Sequence, residues 1–338
     1  MTNGPGIDFT DRYAIASFSD GGGVLVDLMT GGYFRLNATA TLVCSALQAT
    51  ADMEEAIAFL ARRMQVSSAE ASHFVAVVRE GLSQSVPRNA PMTPLLYGRS
   101  PDGSWILEEN GRPIFAIADE RRQVELCVSP AGLEGPLTFY LQALVPKLLA
   151  LLDIPVLHAA ACRIHDRYVA FSGRSGAGKT TTALTFERGG ARLLSEDLLI
   201  LSIADQRILI HAGGERFARD WARQVAPTVE ACPGKPLDYG SLSGAPRGEL
   251  VPLDAIWFVA EERRLGSELR LRPLSVSDGA LALLNNGFLA SSYPRQWRDF
   301  LHRSQQIAER VELMEATMPS GLDCLESAAR RYIVNSAS

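Results

Sequence analysis

Residues 168–202, YVAFSGRSGAGKTTTALTFERGGARLLSEDLLILS, form the stretch that decides the fold of this chain. Within it, the segment from Gly173 to Thr180 fits the phosphate-binding pattern G-x-x-x-x-G-K-[ST] at every fixed position. That pattern needs an apolar strand before it and a helix that opens at its end. Val169–Phe171 provides the strand, and the helix that follows ends at Gly189-Gly190, a pair typical of helix C-termini. The stretch therefore predicts an α/β unit with a phosphate-binding loop.

The residue types of this loop match the chemistry of a bound nucleotide. Its glycines permit positive φ, so that backbone N–H groups can surround phosphate oxygens at the positive end of the following helix. Lys179 is predicted to reach the outer phosphates, and the Thr180 hydroxyl to bind Mg²⁺. The chain has only three lysines, which argues against a chance lysine here. We therefore predict ATP and Mg²⁺ as ligands. The residues predicted to bind the nucleotide are Gly173, Arg174, Ser175, Gly176, Ala177, Gly178, Lys179, Thr180 and Thr181.

Composition sets the broad class of the protein. A length of 338 residues allows two or three domains, and 47% hydrophobic with 21% charged residues is typical of a globular chain. Residues 1–90 contain fewer basic than acidic residues, which argues against a nucleic-acid partner. Five scattered cysteines indicate a reducing compartment. The N-terminus lacks a signal-peptide pattern, and prolines and charges interrupt the most apolar stretch, residues 139–162. We expect a cytoplasmic protein without a membrane partner.

Residues 1–85 are predicted to form a separate small domain. Val24–Asp27 and Tyr33–Leu36 have the pattern of a β-hairpin. Three helices are predicted after it, the first with Asn37 as N-cap and the third opening with a capping box at Ser67. A hairpin with three helices predicts a winged-helix-like α+β domain.

The sequence from Gly22 to Leu47, GGVLVDLMTGGYFRLNATATLVCSAL, resembles the PqqD-like family. That family serves as a peptide-recognition element in the maturation of ribosomally made peptides. Its members take a leader peptide as an added strand along the hairpin. The resemblance implies that Val24–Asp27 and Tyr33–Leu36 border a peptide site. A small domain that only packs on the rest of the chain is the alternative.

The remaining chain is predicted to be one catalytic domain. The prolines of residues 86–95 indicate a linker, and the domain then covers residues 96–338. Its first part, 96–150, is a β-rich lead-in that ends in a long apolar helix, and 151–338 is the nucleotide-binding core. Its last third is predicted to hold two helices, Trp297–Met314 and Gly321–Tyr332.

Two further groups in this domain could carry chemistry. Asp197 is predicted to end a strand beside the strand that leads into the loop, at the edge where open α/β sheets bind ligands. A carboxylate there could accept the proton of an attacking hydroxyl or hold Mg²⁺, although an acidic turn would have the same pattern. His158 follows an apolar strand and by itself could equally be a core histidine.

Three elements in order resemble the HPr kinase/phosphorylase superfamily, which is related in fold to the phosphoenolpyruvate carboxykinases. They are LHAAA at 157–161, the phosphate-binding loop with its helix, and LLSED at 193–197. The resemblance implies an α/β P-loop kinase core behind the PqqD-type domain. It also implies catalytic roles for His158, Lys179 and the acidic pair.

The acidic pair departs from the pattern of that family, which has Asp-Asp where this chain has Glu196-Asp197. Which of the two is the base and which the metal partner therefore stays open. The family also has a later glutamate that contributes to Mg²⁺, and Glu215 is the matching candidate. The metal ligands implied are thus Thr180, Glu196 and Glu215. HPr kinases form hexamers, so the resemblance also implies that this chain could form a homo-oligomer.

These features together predict an ATP-dependent kinase that phosphorylates a serine or threonine hydroxyl of a peptide or protein. The PqqD-like resemblance suggests a precursor peptide, such as one of the lasso type, as the partner. The alternatives are an ATP-gated peptide-binding or chaperone module and a kinase for a small metabolite. An ABC-type ATPase is a weaker alternative, because it does not account for an acidic pair, Glu196-Asp197, at such a short distance after the loop.

Overall fold

The computed structural model describes most of the chain and divides it into two compact units. Described are residues 9–28, 32–50, 52–84, 96–99, 105–109, 111–118, 122–174, 176–204, 206–232, 234–244, 249–260, 268–286 and 294–336. The first unit is Met1–Ala90 with Leu274–Leu284 and Ser291–Glu309. The second is Pro91–Pro273 with Asn285–Ala290 and Arg310–Ser338.

Helices and strands alternate irregularly along the chain. The helices are α1 (Phe9–Arg12), α2 (Ala38–Ala49), α3 (Met53–Met64), α4 (Ser68–Gln84), α5 (Leu137–Leu151), α6 (Lys179–Arg188), α7 (Gly214–Ala231), α8 (Val276–Asn286), α9 (Pro294–Ala308) and α10 (Leu322–Asn335). The strands are β1 (Tyr13–Ser17), β2 (Gly23–Asp27), β3 (Tyr33–Leu36), β4 (Leu96–Arg99), β5 (Trp105–Glu109), β6 (Arg112–Ala118), β7 (Gln123–Leu126), β8 (Val156–Ile164), β9 (Arg167–Ser172), β10 (Arg192–Ser195), β11 (Leu198–Ala204), β12 (Arg207–His211), β13 (Leu237–Asp238), β14 (Leu250–Pro252), β15 (Ala255–Val259), β16 (Arg270–Pro273) and β17 (Glu312–Thr317).

The first unit contains the predicted hairpin and its three helices. Strands β1, β2 and β3 form an antiparallel sheet with β2 in the middle. The predicted caps are confirmed: Asn37 Oδ1 accepts the Ala40 N–H at 2.9 Å, and Ser67 and Glu70 form the reciprocal capping box before α4. Apolar side chains of α2, α3 and α4 pack together in a buried core, with Val43 and Leu60 fully buried.

Helices α8 and α9 group with this first unit, which differs from the predicted domain boundaries. The first turn of α8 bonds to the β1–β2 turn, where Asp20 accepts both the backbone N–H and the hydroxyl of Ser277. On α9, Gln305 donates to the Ser17 carbonyl at 2.7 Å. Residues 274–284 and 291–309 are therefore separated in sequence from 1–90 but fold with it. The predicted linker, 86–95, lies outside the described residues.

The second unit is built on a mixed sheet. Within the described ranges, nine strands form it, in the order β14-β12-β11-β8-β9-β15-β17-β16 with β10 also paired to β8. Strand β15 is parallel to β9 and to β17, and the other pairs are antiparallel. A second, antiparallel sheet runs β13-β7-β6-β5-β4. The predicted fold class, a small α+β domain with a mixed α/β domain, is thus confirmed.

An aromatic cluster anchors the strand that leads into the phosphate-binding loop. Phe171 of β9, Phe186 of α6 and Trp257 of β15 are fully buried or nearly so, with ring centroids 5.3 to 5.8 Å apart. Tyr332 of α10 packs on the edge of the same group. Such pairs each contribute about 0.5–1.5 kcal/mol beyond their buried area. The cluster holds both ends of the loop on one rigid core.

One predicted helix is wrong at its C-terminal end. The helix expected over Trp297–Met314 ends at Ala308, and β17 begins at Glu312. Residues 312–316 pair in parallel with β15, and residues 314–317 pair antiparallel with β16. Pairing with a distant strand decides this segment, which local helix propensity does not reveal.

Candidate phosphoryl-transfer site

Strand β8 brings the candidate residues together. Its central residues lie between two strand ends: Ala159 pairs with Ser172, just before the loop, and His158 pairs with Leu198, just after the acidic pair. The predicted position of the strand that ends at the acidic pair, directly beside the strand that leads into the loop, is therefore wrong. The strand before the acidic pair, β10, pairs with β8 and not with β9. Glu196 and Asp197 form a bend between β10 and β11.

The loop from Gly173 has the backbone of a phosphate cradle. Gly173 has φ +152° and lies so close to β15 that a Cβ would be 2.9 Å from the Val259 carbonyl oxygen. Gly176 has φ +84° and faces open space. Gly178, at φ 91°, is the N-cap of α6 and offers no side chain to the first N–H groups of the helix. These N–H groups are the ones that bind phosphate in such loops. Ser175 lies outside the described residues.

Lys179 and Thr180 begin α6 at the head of this cradle. Lys179 is buried, and its ammonium donates to the Arg174 carbonyl oxygen at 3.0 Å. Burial lowers the pKa of Lys179, and the negative charge of Asp197 partly offsets that effect. The Thr180 hydroxyl donates to the Glu196 carbonyl oxygen at 3.2 Å. Both side chains predicted to contact the nucleotide therefore reach main-chain oxygens of the loop and the acidic bend.

The other residues of the loop differ in their exposure to solvent. Ala177 is buried, and its N–H donates to the Arg174 carbonyl at 3.1 Å. Arg174 and Thr181 are exposed at either side of the turn. Their predicted contact with phosphates stays a prediction.

His158 and Asp197 form a hydrogen-bonded pair. His158 Nε2 lies 2.7 Å from Asp197 Oδ1, and the Asp197 side chain is 63% exposed. The hydrogen bond from His158 lowers the pKa of Asp197, with smaller contributions from the charges of His158 and Lys179. Asp197 is thus an oriented, ionised carboxylate that solvent or a substrate can reach. The His158 side chain is 26% exposed and therefore borders solvent beside Asp197.

Glu215 contacts Ser195, the residue that directly precedes the acidic pair. It occupies the first turn of α7, and its Oε2 lies 2.5 Å from the Ser195 hydroxyl. In the described part of the chain, no hydrogen bond joins Glu215 to Thr180 or Glu196. The sequence does not predict a role for Ser195, because its contact to Glu215 spans 20 positions.

The oxygen atoms at the end of the cradle fit a magnesium ion that is also bound by phosphates and waters. No group of three or more His, Cys, Asp or Glu side chains that could hold a metal is found among the described residues. Mg²⁺, however, is commonly bound through one or two carboxylates together with substrate phosphates and waters. The Thr180 hydroxyl beside the Glu196 backbone, with two carboxylates on the bend, fits that donor set.

The two outer strands of the β1-β2-β3 sheet differ in the hydrogen bonds at their outer edges. Strand β2 is paired on both sides, so β1 and β3 have the outer edges. The side-chain amide of Gln48 accepts from the Ile15 N–H at 3.0 Å and donates to the Tyr13 carbonyl at 3.1 Å. Gln48 thus bonds β1 as a neighbouring strand would. Strand β3 pairs only with β2 in the described residues.

Three comparisons with known proteins were made. None of the curated proteins matches the chain, and no helix in its described part is long and apolar enough to cross a bilayer. Among solved structures, the HPr(Ser) kinase/phosphatase from Coxiella burnetii matches 54% of this chain and 99% of its own, with 13% identity and a TM-score of 0.27. Residues 22–81 match the family model of coenzyme PQQ synthesis protein D, PqqD. The chain therefore carries an N-terminal PqqD domain, as its sequence predicted, and has a structural match to an HPr(Ser) kinase/phosphatase over about half its length.

Proposed function

We propose that this protein is an ATP-dependent kinase that phosphorylates a serine or threonine hydroxyl of a peptide, in particular a ribosomally made precursor peptide. The observation that carries the proposal is the pairing of an open phosphate cradle with an oriented carboxylate. The cradle begins at Gly173, and Asp197 is held at 2.7 Å by His158 on the strand that separates the two. Phosphoryl transfer requires mainly positioning and charge stabilisation, which such an arrangement provides.

The residues of the cradle would bind the phosphates of ATP, which supplies the phosphoryl group. The N–H groups at the start of α6 and the Lys179 ammonium would neutralise negative charge on the outer phosphates. Thr180 and one carboxylate of the bend would hold Mg²⁺. Glu215 would support this side of the site from α7.

Asp197 is a better candidate than Glu196 for the carboxylate that accepts the hydrogen bond of the substrate hydroxyl. Its hydrogen bond to His158 fixes its direction, whereas no side-chain hydrogen bond of Glu196 is present in the described residues. A lowered pKa suits orientation of the hydroxyl more than early proton removal. A loose transition state for phosphoryl transfer needs little proton removal before the bond to phosphorus forms.

The PqqD domain would hold the peptide. Because Gln48 and Gln305 occupy the outer edge of β1, we propose that a peptide strand adds along β3. A docked leader would raise the effective concentration of the acceptor hydroxyl near ATP. A kinase for a small metabolite would not need this domain.

The test is transfer of label from γ-labelled ATP to a pool of synthetic peptides, each with one serine or threonine. We expect labelled peptide with the wild type and loss of at least about a hundredfold in Lys179→Ala and Asp197→Asn. Lys235→Ala and Asp166→Asn are matched controls, since both side chains are exposed and lie outside the site.

Two outcomes would refute the peptide kinase. Nucleotide binding that changes peptide affinity without labelled peptide would indicate an ATP-gated binding module. Label that appears only in small molecules of a metabolite extract would indicate a metabolite kinase. Unchanged transfer in Lys179→Ala or Asp197→Asn would overturn the assigned residues.

A further inference from the structure

The buried hydroxyl of Ser195 lies at the base of the bend that carries the acidic pair. Ser195 is 1% exposed and is the last residue of β10. Its Oγ lies 2.8 Å from the Leu198 carbonyl oxygen and 2.5 Å from Glu215 Oε2. One hydroxyl thus spans the bend from β10 to β11 and also contacts α7.

The N-terminus of α7 is packed tightly against the same carbonyl group. Gly213 has φ 80°, and its N–H donates to the Leu194 carbonyl at 2.9 Å. A Cβ on Gly214 would lie 2.2 Å from the Leu198 carbonyl oxygen, a distance that no side chain can adopt. The contact between Ser195 and Glu215 therefore rests on a close and fixed approach of two backbones.

The bend held in this way carries the contacts of the candidate site. The Glu196 carbonyl accepts the Thr180 hydroxyl, and Asp197 bonds to His158. Moving the bend by a fraction of an ångström would change both contacts together. Among the described residues, the Ser195 hydroxyl has hydrogen-bond contacts only to Leu198 and Glu215, so we expect any effect on transfer to act through the bend and Glu215.

We propose that Ser195 is a positioning residue for phosphoryl transfer, whose hydroxyl locks the Glu196–Asp197 bend to Glu215 on α7. This inference rests on the proposed function and assigns a residue to the geometry of that site. A serine with a purely structural role would affect stability, whereas a positioning serine affects the site in a protein that remains folded.

The test compares Ser195→Ala with Ser195→Thr, which keeps the hydroxyl. Ser304→Ala is the matched control, because it deletes a fully buried hydroxyl that has no hydrogen-bond partner in the described residues. Three measurements are made: the ligand-free crystal structure, the affinity for ADP with Mg²⁺ and with EDTA, and kcat and KM for ATP.

We expect Ser195→Ala to lengthen the His158–Asp197 contact in the crystal structure and to keep wild-type ADP affinity in EDTA. Most of the affinity gained with Mg²⁺ should be lost, so KM for ATP should rise, and kcat should fall about tenfold to a hundredfold. Ser195→Thr and Ser304→Ala should resemble the wild type. If Ser195→Ala does not fold, Ser195→Cys replaces it in the same measurements.

The outcomes separate this inference from the proposed function. The role of Ser195 would be overturned if Ser195→Ala had the wild-type structure, ADP affinity and kinetics. It would also be overturned if this variant lost equal ADP affinity with Mg²⁺ and with EDTA. Equal defects in the Ala and Thr variants would do so as well. If the wild type binds Mg·ADP but transfers no phosphate to any peptide, the proposed function fails. The crystal and binding measurements then still decide the role of Ser195.

Discussion

Lys147 offers a direct test of how the second unit tolerates a buried charge. It lies in α5, is only 5% exposed, and belongs to a helix that packs against α7, the helix of Glu215. Burial lowers the pKa of Lys147 from 10.5 to about 8. The perturbation is Lys147→Met, which keeps a long apolar side chain and removes the charge.

The sign and size of the effect follow from that pKa. Because the folded chain gives up this proton at lower pH than the unfolded chain, stability should rise with pH between about 8 and about 10.5. Below pH 8 the folded state carries the full cost of the buried charge. At about 1.36 kcal/mol for each pKa unit, that cost is about 3 kcal/mol.

The assay is urea unfolding at several pH values between 7 and 10, followed by tryptophan fluorescence. Three of the four tryptophans (Trp105, Trp221 and Trp257) belong to the second unit, so the signal reports mainly on it. The wild type should gain about 2.5 kcal/mol over this range relative to Lys147→Met, while Lys235→Met, at an exposed site, should follow the wild type. Parallel pH curves for the wild type and Lys147→Met would refute the reasoning.

Three other predictions concern the site and the core. Gly214→Ala should impair Mg·ADP binding and lower the thermal midpoint, because its Cβ would overlap the Leu198 carbonyl; wild-type values would contradict the close packing. The lowered pKa of Asp197 means that its stabilising contact is present above the ordinary aspartate pKa and is lost as the pH falls through the folded value, so the stability difference from Asp197→Asn should vanish in acid. Burial raises the pKa of Cys44 and Cys162 to about 12, so a thiol reagent should modify exposed Cys127 in the native protein and these two only after unfolding.

The sequence predicted those parts of the site whose physics is local. The loop from Gly173 to Thr180 is a run of eight residues, and its conformation depends on glycines that the pattern contains. The caps at Asn37 and Ser67 are likewise decided within four residues. A pattern read along the chain is sufficient when donor, acceptor and backbone freedom all belong to one short segment.

The order of strands could not be predicted in the same way. Placing β10 beside the loop strand was the simplest interpretation of a βαβ pattern, yet the antiparallel β8 lies between β9 and β10. The LLSED segment by itself does not distinguish these two arrangements. The consequence is chemical, because β8 is the strand that carries His158 to the acidic bend. The insertion of this strand is what turns a lone histidine into a partner of Asp197.

Helices α8 and α9 illustrate a different limit. An amphipathic pattern predicts that a helix buries one face, but the pattern does not identify the surface that receives it. The contacts that assign these helices to the first unit join positions far apart in sequence, such as Asp20 with Ser277 and Ser17 with Gln305. Because Gln305 occupies a carbonyl on the outer edge of β1, the late segment changes which edge of the sheet remains open. The proposed peptide site on β3 therefore depends on residues that a boundary drawn at residue 85 would leave out.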